Sequence, residues 1–348
     1  MKTFTCTALA GVIGLTLLGQ ASTALAEETL YLGMNGGTME RLYADKVLPA
    51  FEKANNVKVV IVPGTSSDIL AKVQASKDSP QIHVMFLDDG IMYRAIAMGL
   101  CEPLEKSAPL ADIPAKSLIK EQAAAVSIGV TGLAYNTKMF KEEGWSAPTS
   151  WMDMADPKFE EKLVFQSMPS SSFGLHGFLM FNRIQGGSEA NIEPGFKAWP
   201  KTIGPNVLEY IPSSAKLSEM VQTNEAALFP LTPTQVTALK MRGVPVEYAQ
   251  PKEGAVVLNV AECVIAKNSQ PALAQKLAAY LLTPEAQAAA LEFGDQIPSN
   301  PKTPTTDKTR AQVEALNRYQ QTAVVLDWDQ INQARPEWNA RWNRTIER

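Results

Sequence analysis

The chain has 348 residues, of which 45% are hydrophobic and 20% charged, with 36 acidic against 32 basic side chains and a net charge of −4. That length suits two domains or one large one, and an acidic balance with no basic block argues against nucleic acid as a partner. Three cysteines are too few for a disulfide framework, and two histidines with no metal-spaced His/Cys cluster argue against a metal or other cofactor.

Residues 1–26 read as a cleavable export signal. Lys2 supplies the basic start, Ala8 to Leu18 the apolar stretch, and Ala24-Leu25-Ala26 the small-x-small cleavage site, so the mature chain is expected to begin at Glu27 in the periplasm. The apolar stretch is short and rich in Gly and Thr, a poor membrane anchor, and no later segment reaches a spanning length. Cys6 precedes that stretch, where it is badly placed for lipid attachment. Cys101 and Cys263 could pair in an oxidising compartment, but two buried free thiols are the favoured expectation.

A strand–loop–helix unit then repeats three times. Thr29 to Gly33 predicts a strand ending in the turn Asn35-Gly36-Gly37-Thr38, followed by a helical pattern that Pro49 kinks. Val57 to Val62 predicts a second strand, ending at Gly64-Thr65-Ser66-Ser67 before a helix from Asp68 to Ser76. Ile82 to Leu87 predicts a third, ending at Asp88-Asp89-Gly90 before a helix closed by Gly99. Near-continuous apolar strands imply a parallel sheet covered on both faces, with ligands bound beyond the strands' carboxyl ends, where these three loops fall.

Val126 to Tyr135 reads as a strand interrupted by Gly129 and Gly132, and as the point where the chain leaves one α/β lobe for another. In the second lobe Ser150 predicts an N-cap with Asp153 three residues on, and Leu163 to Phe165 a strand. Ser170, Ser171, Ser172 and Phe173 lead into an apolar helix ending at Ile184, so the serines are either caps or an anion site. Ala226 to Leu231 predicts a strand ending at Thr232, which starts a helix, and Val256 to Ala266 the return crossing. Ser269 is expected to cap a helix through Leu282, Thr283-Pro284-Glu285 to start another, and the tail to be helical from about Gln330. The domains expected are a signal peptide at 1–26, one lobe from 27–131 and 260–301, and a second from 132–259 and 302–348 with C-terminal helices.

The segments VLPAFEKANNVKV (47–59), TGLAYNTKMF (131–140), APTSWMDMADPKFEEKL (147–163), PKEGAVV (251–257), CVIAKNS (263–269), LLTPEAQAAA (281–290) and LDWDQINQARPEWNARWN (326–343) together resemble the periplasmic solute-binding proteins of ABC importers, of the spermidine/putrescine-binding kind. The resemblance implies a type II periplasmic-binding-protein fold, with two α/β lobes on parallel sheets, joined by two crossing strands and closing on ligand. It implies as partners a small solute and inner-membrane permease subunits served by a separate ATPase, and a monomeric protein without cofactor. Polyamine binders of this kind cage the alkyl chain with aromatics and pair its amines with acids. Here the corresponding positions are Gly36, Thr232, Asn259, Ala261, Pro169 and Ser172, and only Asp88 and Asp89 keep acids.

An enzyme is disfavoured. His83 lies within an apolar strand and His176 on an apolar helix, Asp88 and Asp89 point apart, and no G-x-S-x-G or P-loop occurs. The candidate ligand residues are Asn35, Gly36, Gly37, Thr38, Thr65, Ser66, Ser67, Asp88, Asp89, Ser170, Ser171, Ser172, Phe173, Thr232, Asn259 and Trp328. Hydroxyls and N–H groups at helix starts suit an anion and the acids suit an amine, so the expected ligand is amino-acid-like or aminophosphonate-like, with a polyamine as the alternative.

Overall fold

The computed structural model describes Met1, Thr3 and residues 28–347. The expected export signal and Glu27 otherwise lie outside the described residues. The first strand, β1 (Glu28–Met34), leads through Gly37 into α1 (Thr38–Leu42), a π-helical turn (Tyr43–Val47) and α2 (Leu48–Asn55). Pro49 sits in the first turn of α2, where no intrahelical N–H is lost, so the kink expected at Pro49 is a helix restart. Next come β2 (Val57–Pro63) and α3 (Ser66–Ala75), which starts two residues earlier than expected because Thr65 caps it with its side chain. β3 (Val84–Asp88) runs straight into α4 (Asp89–Ala97).

After α5 (Ala108–Asp112) and β4 (Leu118–Ile119), the long strand β5 (Ala123–Asn136) carries the chain onward. α6 (Thr137–Glu142) follows, its first N–H groups held by the Asn136 carboxamide oxygen. The next units are β6 (Leu163–Gln166) with α7 (Ser172–Ile184) and α8 (Glu193–Ala198), β7 (Val207–Ile211) with α9 (Ser214–Gln222), and β8 (Leu228–Leu231) with α10 (Pro233–Met241). β9 (Val246–Ala249) and β10 (Val256–Val264) bring the chain back. It ends in α11 (Pro271–Leu281), α12 (Pro284–Gly294), α13 (Asp307–Gln320) and α14 (Trp328–Thr345).

The strands run in the order β2-β1-β3-β10-β5-β8-β6-β7. β1 is parallel to β2 and β3, and β6 is parallel to β7 and β8, as the apolar strand runs imply. The two crossing strands depart from the parallel expectation. β5 and β10 are antiparallel to each other, and β10 to β3, because one leaves in the direction from which the other returns. β5 changes partners along its length: Ala124 to Thr131 pair with β10, and Gly132 to Asn136 with β8 and β9. Separate apolar clusters flank the two parallel sets, one built on Leu30, Leu32 and Phe86, the other on Phe165, Phe178 and Trp199. Trp328, Ile331, Trp338 and Trp342 of α14 pack into the second.

Two expectations are corrected. Cys101 and Cys263 form a disulfide and are not free thiols. The segment after α4 forms an antiparallel bridge from Cys101 to Ile265, which sets the two cysteine Cα atoms 5.8 Å apart, within disulfide range. Ser269 does not cap α11. Its hydroxyl meets His83 Nε2 at 3.1 Å, while His83 Nδ1 accepts the Tyr31 N–H, so His83 is a satisfied core residue and α11 starts at Pro271 behind Gln270. Helix α13 falls among the C-terminal helices expected of 302–348, but its bounds were not legible, because Leu316 is its one buried large apolar side chain.

Candidate functional site

A cleft of about 720 Å³ opens where the carboxyl ends of the two parallel strand sets face each other. From the first set it is lined by Asn35, Gly36, Gly37 and Thr38 after β1, Thr65, Ser66 and Ser67 after β2, and Asp88 at the end of β3. Gly37 has a φ of 74°, a left-handed turn that costs glycine little, and this lets the loop enter α1. The Ser66 hydroxyl accepts the Asp88 N–H at 3.1 Å, tying the second loop to the third.

The second set contributes Gln166 at the end of β6, Ser170, Ser171, Ser172 and Phe173 at the start of α7, and Thr232 before α10. The Ser171 hydroxyl caps α7 by accepting the Phe173 N–H at 3.2 Å and donates to Gln166 Oε1 at 2.9 Å. Thr232 caps α10 in the same way, accepting from Gln235 N–H at 3.2 Å. Gly174 allows the first turn of α7 to lie on the Gln166 carbonyl, since a Cβ there would overlap that oxygen. Ser172 reaches across the cleft, and its hydroxyl donates to Asp88 Oδ2 at 2.6 Å.

Three expected site residues lie outside the cleft lining. Asp89 is turned into the protein, where Oδ1 accepts from Gly90 N–H at 2.9 Å and Oδ2 from Asn259 N–H at 3.3 Å. Burial, opposed by those bonds, pushes its carboxyl up to about 7. Asn259 supplies its backbone to that carboxylate, and its side-chain oxygen is buried without a partner. Trp328 is stacked beneath, against Gly90 and 5.7 Å from the His176 ring, so it packs the wall from behind. Asp88 ends β3 and Asp89 begins α4, so the two side chains leave the backbone in different directions and only Asp88 faces the cleft.

Many lining residues were not among those expected, and two of them, Gln166 and Arg335, carry buried donors. Gln166 Nε2 has no hydrogen-bond partner among the described residues. Arg335, on α14, is 3% exposed, and no hydrogen bond or ion pair to its guanidinium occurs among the described residues. Burial and the nearby Arg94 charge hold its pKa down to about 10, while Asp88 opposes that shift. Burial pushes the Asp88 carboxyl up, and the bonds from Ser172 and Ser66 and the Arg335 charge draw it down. Arg335 was legible in principle. Trp328, Ile331, Arg335, Trp338 and Trp342 recur at helical spacing, so an arginine stands in the middle of an apolar stripe. His176 is fully buried, its Nδ1 2.9 Å from Thr131 Oγ1, and burial with the Arg335 charge pushes it down to about 3.

The cleft therefore holds unpartnered donors, hydroxyls and the N-terminus of a long helix on one side, with one carboxylate facing them. Such an arrangement can hold an anion, and beside it a cation. Among the described residues no cluster of three His, Cys, Asp or Glu could hold a metal, and no helix is long and apolar enough to cross a membrane.

Residues 46–317 match the family model described as bacterial extracellular solute-binding protein. The chain is 26% identical over 215 residues to an uncharacterized protein of Haemophilus influenzae, spanning 59% of that protein's length. It is 23% identical over 304 residues, 86% of either chain, to a Salmonella paratyphi A protein named "Putative 2-aminoethylphosphonate-binding periplasmic protein". It superposes with a TM-score of 0.78 on the periplasmic binding protein AfuA of Actinobacillus pleuropneumoniae, solved with exogenous fructose-6-phosphate, at 21% identity and covering 92% of this chain and 99% of that one. The mixed α/β fold is that of periplasmic binding proteins.

Proposed function

The chain belongs to the bacterial extracellular solute-binding proteins, and on that premise we propose that it is the periplasmic component of an ABC importer that captures an amino-acid-like or aminophosphonate-like solute. As a member of a binding-protein family it is a binder and not an enzyme. The observation that carries the ligand class is Arg335, a buried guanidinium without a partner in the cleft lining, beside the α7 N-terminus and opposite Asp88. The names of the Salmonella relative and of the sugar-phosphate complex point the same way, toward solutes with an acidic phosphorus group.

A polyamine finds less here. Among the described residues the cleft lining has two acids, Asp68 and Asp88, and Asp68 is already engaged by Thr65. Phe173 is the one aromatic side chain that the described residues bring to the lining, too little for a cation–π cage. The proposed lobes are 27–131 with 260–301 and 132–259 with 302–348, hinged where β5 changes partners between Thr131 and Gly132. Ligand docks on one lobe and gains the other's contacts on closure, shifting the open–closed balance by its differential affinity. Permease subunits served by a separate ATPase then receive the closed monomer.

Calorimetric titration tests this. 2-Aminoethylphosphonate or a small amino acid is expected to bind, and Arg335→Met to weaken binding by about 10–100-fold, the worth of a charge-assisted hydrogen bond. Tight spermidine binding that survives Arg335→Met would replace this reading with the polyamine one.

A further inference from the structure

We propose that Asp88 acts as a built-in substitute for the ligand's anion, so that the cleft admits solutes carrying a positive and a negative group together and rejects simple anions. This deepens the reading above and rests on its anion seat. The chain itself partly occupies the seat from within. The Asp88 carboxylate crosses from the end of β3 to accept the Ser172 hydroxyl at 2.6 Å and lies in the field of Arg335. The Asp88 backbone is pinned by Ser66, so the carboxylate cannot retreat far. The donors left over, Arg335 Nε and Gln166 Nε2, remain without partners, so the internal carboxylate does not fill the seat.

An incoming phosphonate or carboxylate would take Ser172, Gln166 and Arg335, and would set a second negative charge beside Asp88 in a buried site. Like charges held there repel strongly. A ligand ammonium one short linker away removes the penalty by pairing with Asp88 as its hydroxyl partner is surrendered. Selectivity thus comes from a repulsive element that only a doubly charged ligand neutralises.

The test uses two probes on the full chain, 2-aminoethylphosphonate and ethylphosphonate, with thermal denaturation to verify folding. Wild type is expected to prefer the amino compound by about tenfold or more, the value of one charge-assisted pair. Asp88→Asn, and Asp88→Ser as a second neutral replacement, should gain ethylphosphonate affinity and lose affinity for the amino compound. Ser172→Ala leaves the charge in place and should not gain. If folded Asp88 variants gain nothing for ethylphosphonate, or if wild type binds both probes equally, the substitution idea is overturned, even where 2-aminoethylphosphonate binding upholds the proposed function. If wild type ignores the amino compound while the Asp88 variants acquire ethylphosphonate, the internal anion stands and the proposed solute class falls.

Discussion

The indole ring of Trp328 rests so closely on Gly90 that any Cβ at position 90 would enter it. Gly90 is the second residue of α4, directly after the Asp88–Asp89 pair, and Trp328 opens α14, the helix that carries Arg335. One turn further along α14, Asn332 Nδ2 donates to the Gly90 carbonyl at 3.0 Å. The contact therefore sets the distance between the strand end that presents the cleft acid and the helix that presents the cleft base.

Gly90→Ala is expected to force Trp328 off its seat. Overpacking of this sort costs about 1–3 kcal/mol. Because α14 moves with the ring, ligand affinity should fall as well, although neither residue lines the cleft. Urea denaturation with a parallel titration checks both, and unchanged affinity would detach α14 from the binding geometry.

Glu262 should make the fold pH-dependent. It lies on β10 between Phe86 and Ala124, is fully buried, and neither carboxylate oxygen has a hydrogen-bond partner among the described residues. Burial raises its pKa well above the usual value of 4.5, and its charge contributes to the raised Tyr43 hydroxyl nearby. A raised folded-state pKa means that the folded protein holds the proton more tightly than the unfolded chain. The stabilisation is full below about 4.5, the unfolded value, and is lost as pH climbs toward the folded value, by up to about 1.4 kcal/mol per pH unit. Glu262→Gln should flatten that decline, with Asp89 present in both proteins and cancelling from the comparison. Stability measured at pH 5 and pH 8 decides it; parallel profiles would show that Glu262 does not titrate within this window.

Breaking the Cys101–Cys263 bridge by Cys→Ser at both positions should cost about 2–4 kcal/mol, chiefly through the freed unfolded chain. Denaturation of the wild type with and without reductant should show the same loss. A reductant-insensitive midpoint would mean that the bridge is absent in solution.

The sequence made the strand ends legible because the same physics writes them each time: an apolar run, then small polar residues, then a helix that needs a cap. Thr65, Ser171 and Thr232 all cap in this way. The parts that did not read out depend on long-range placement. Arg335 comes within the field of Asp88 only because α14 packs both on the second apolar cluster and on α4, and Asp89 was counted as a ligand residue although it was expected to point away from Asp88. Asn259 came from a correspondence with polyamine binders, and in this chain its backbone serves a buried carboxylate. The unit Val207 to Gln222 was passed over because β7 is a half-exposed edge strand, with Leu208 and Glu209 both facing solvent.

The bridge from Cys101 to Cys263 also closes a covalent ring whose two ends stand 162 residues apart in sequence, and the ring contains all of β5 to β9. The polypeptide's entire excursion through β6, β7 and β8 is a loop with a locked neck. A protease that nicks any surface turn of that excursion cuts the backbone without dividing the molecule, and the two pieces part only when a reducing agent opens the neck.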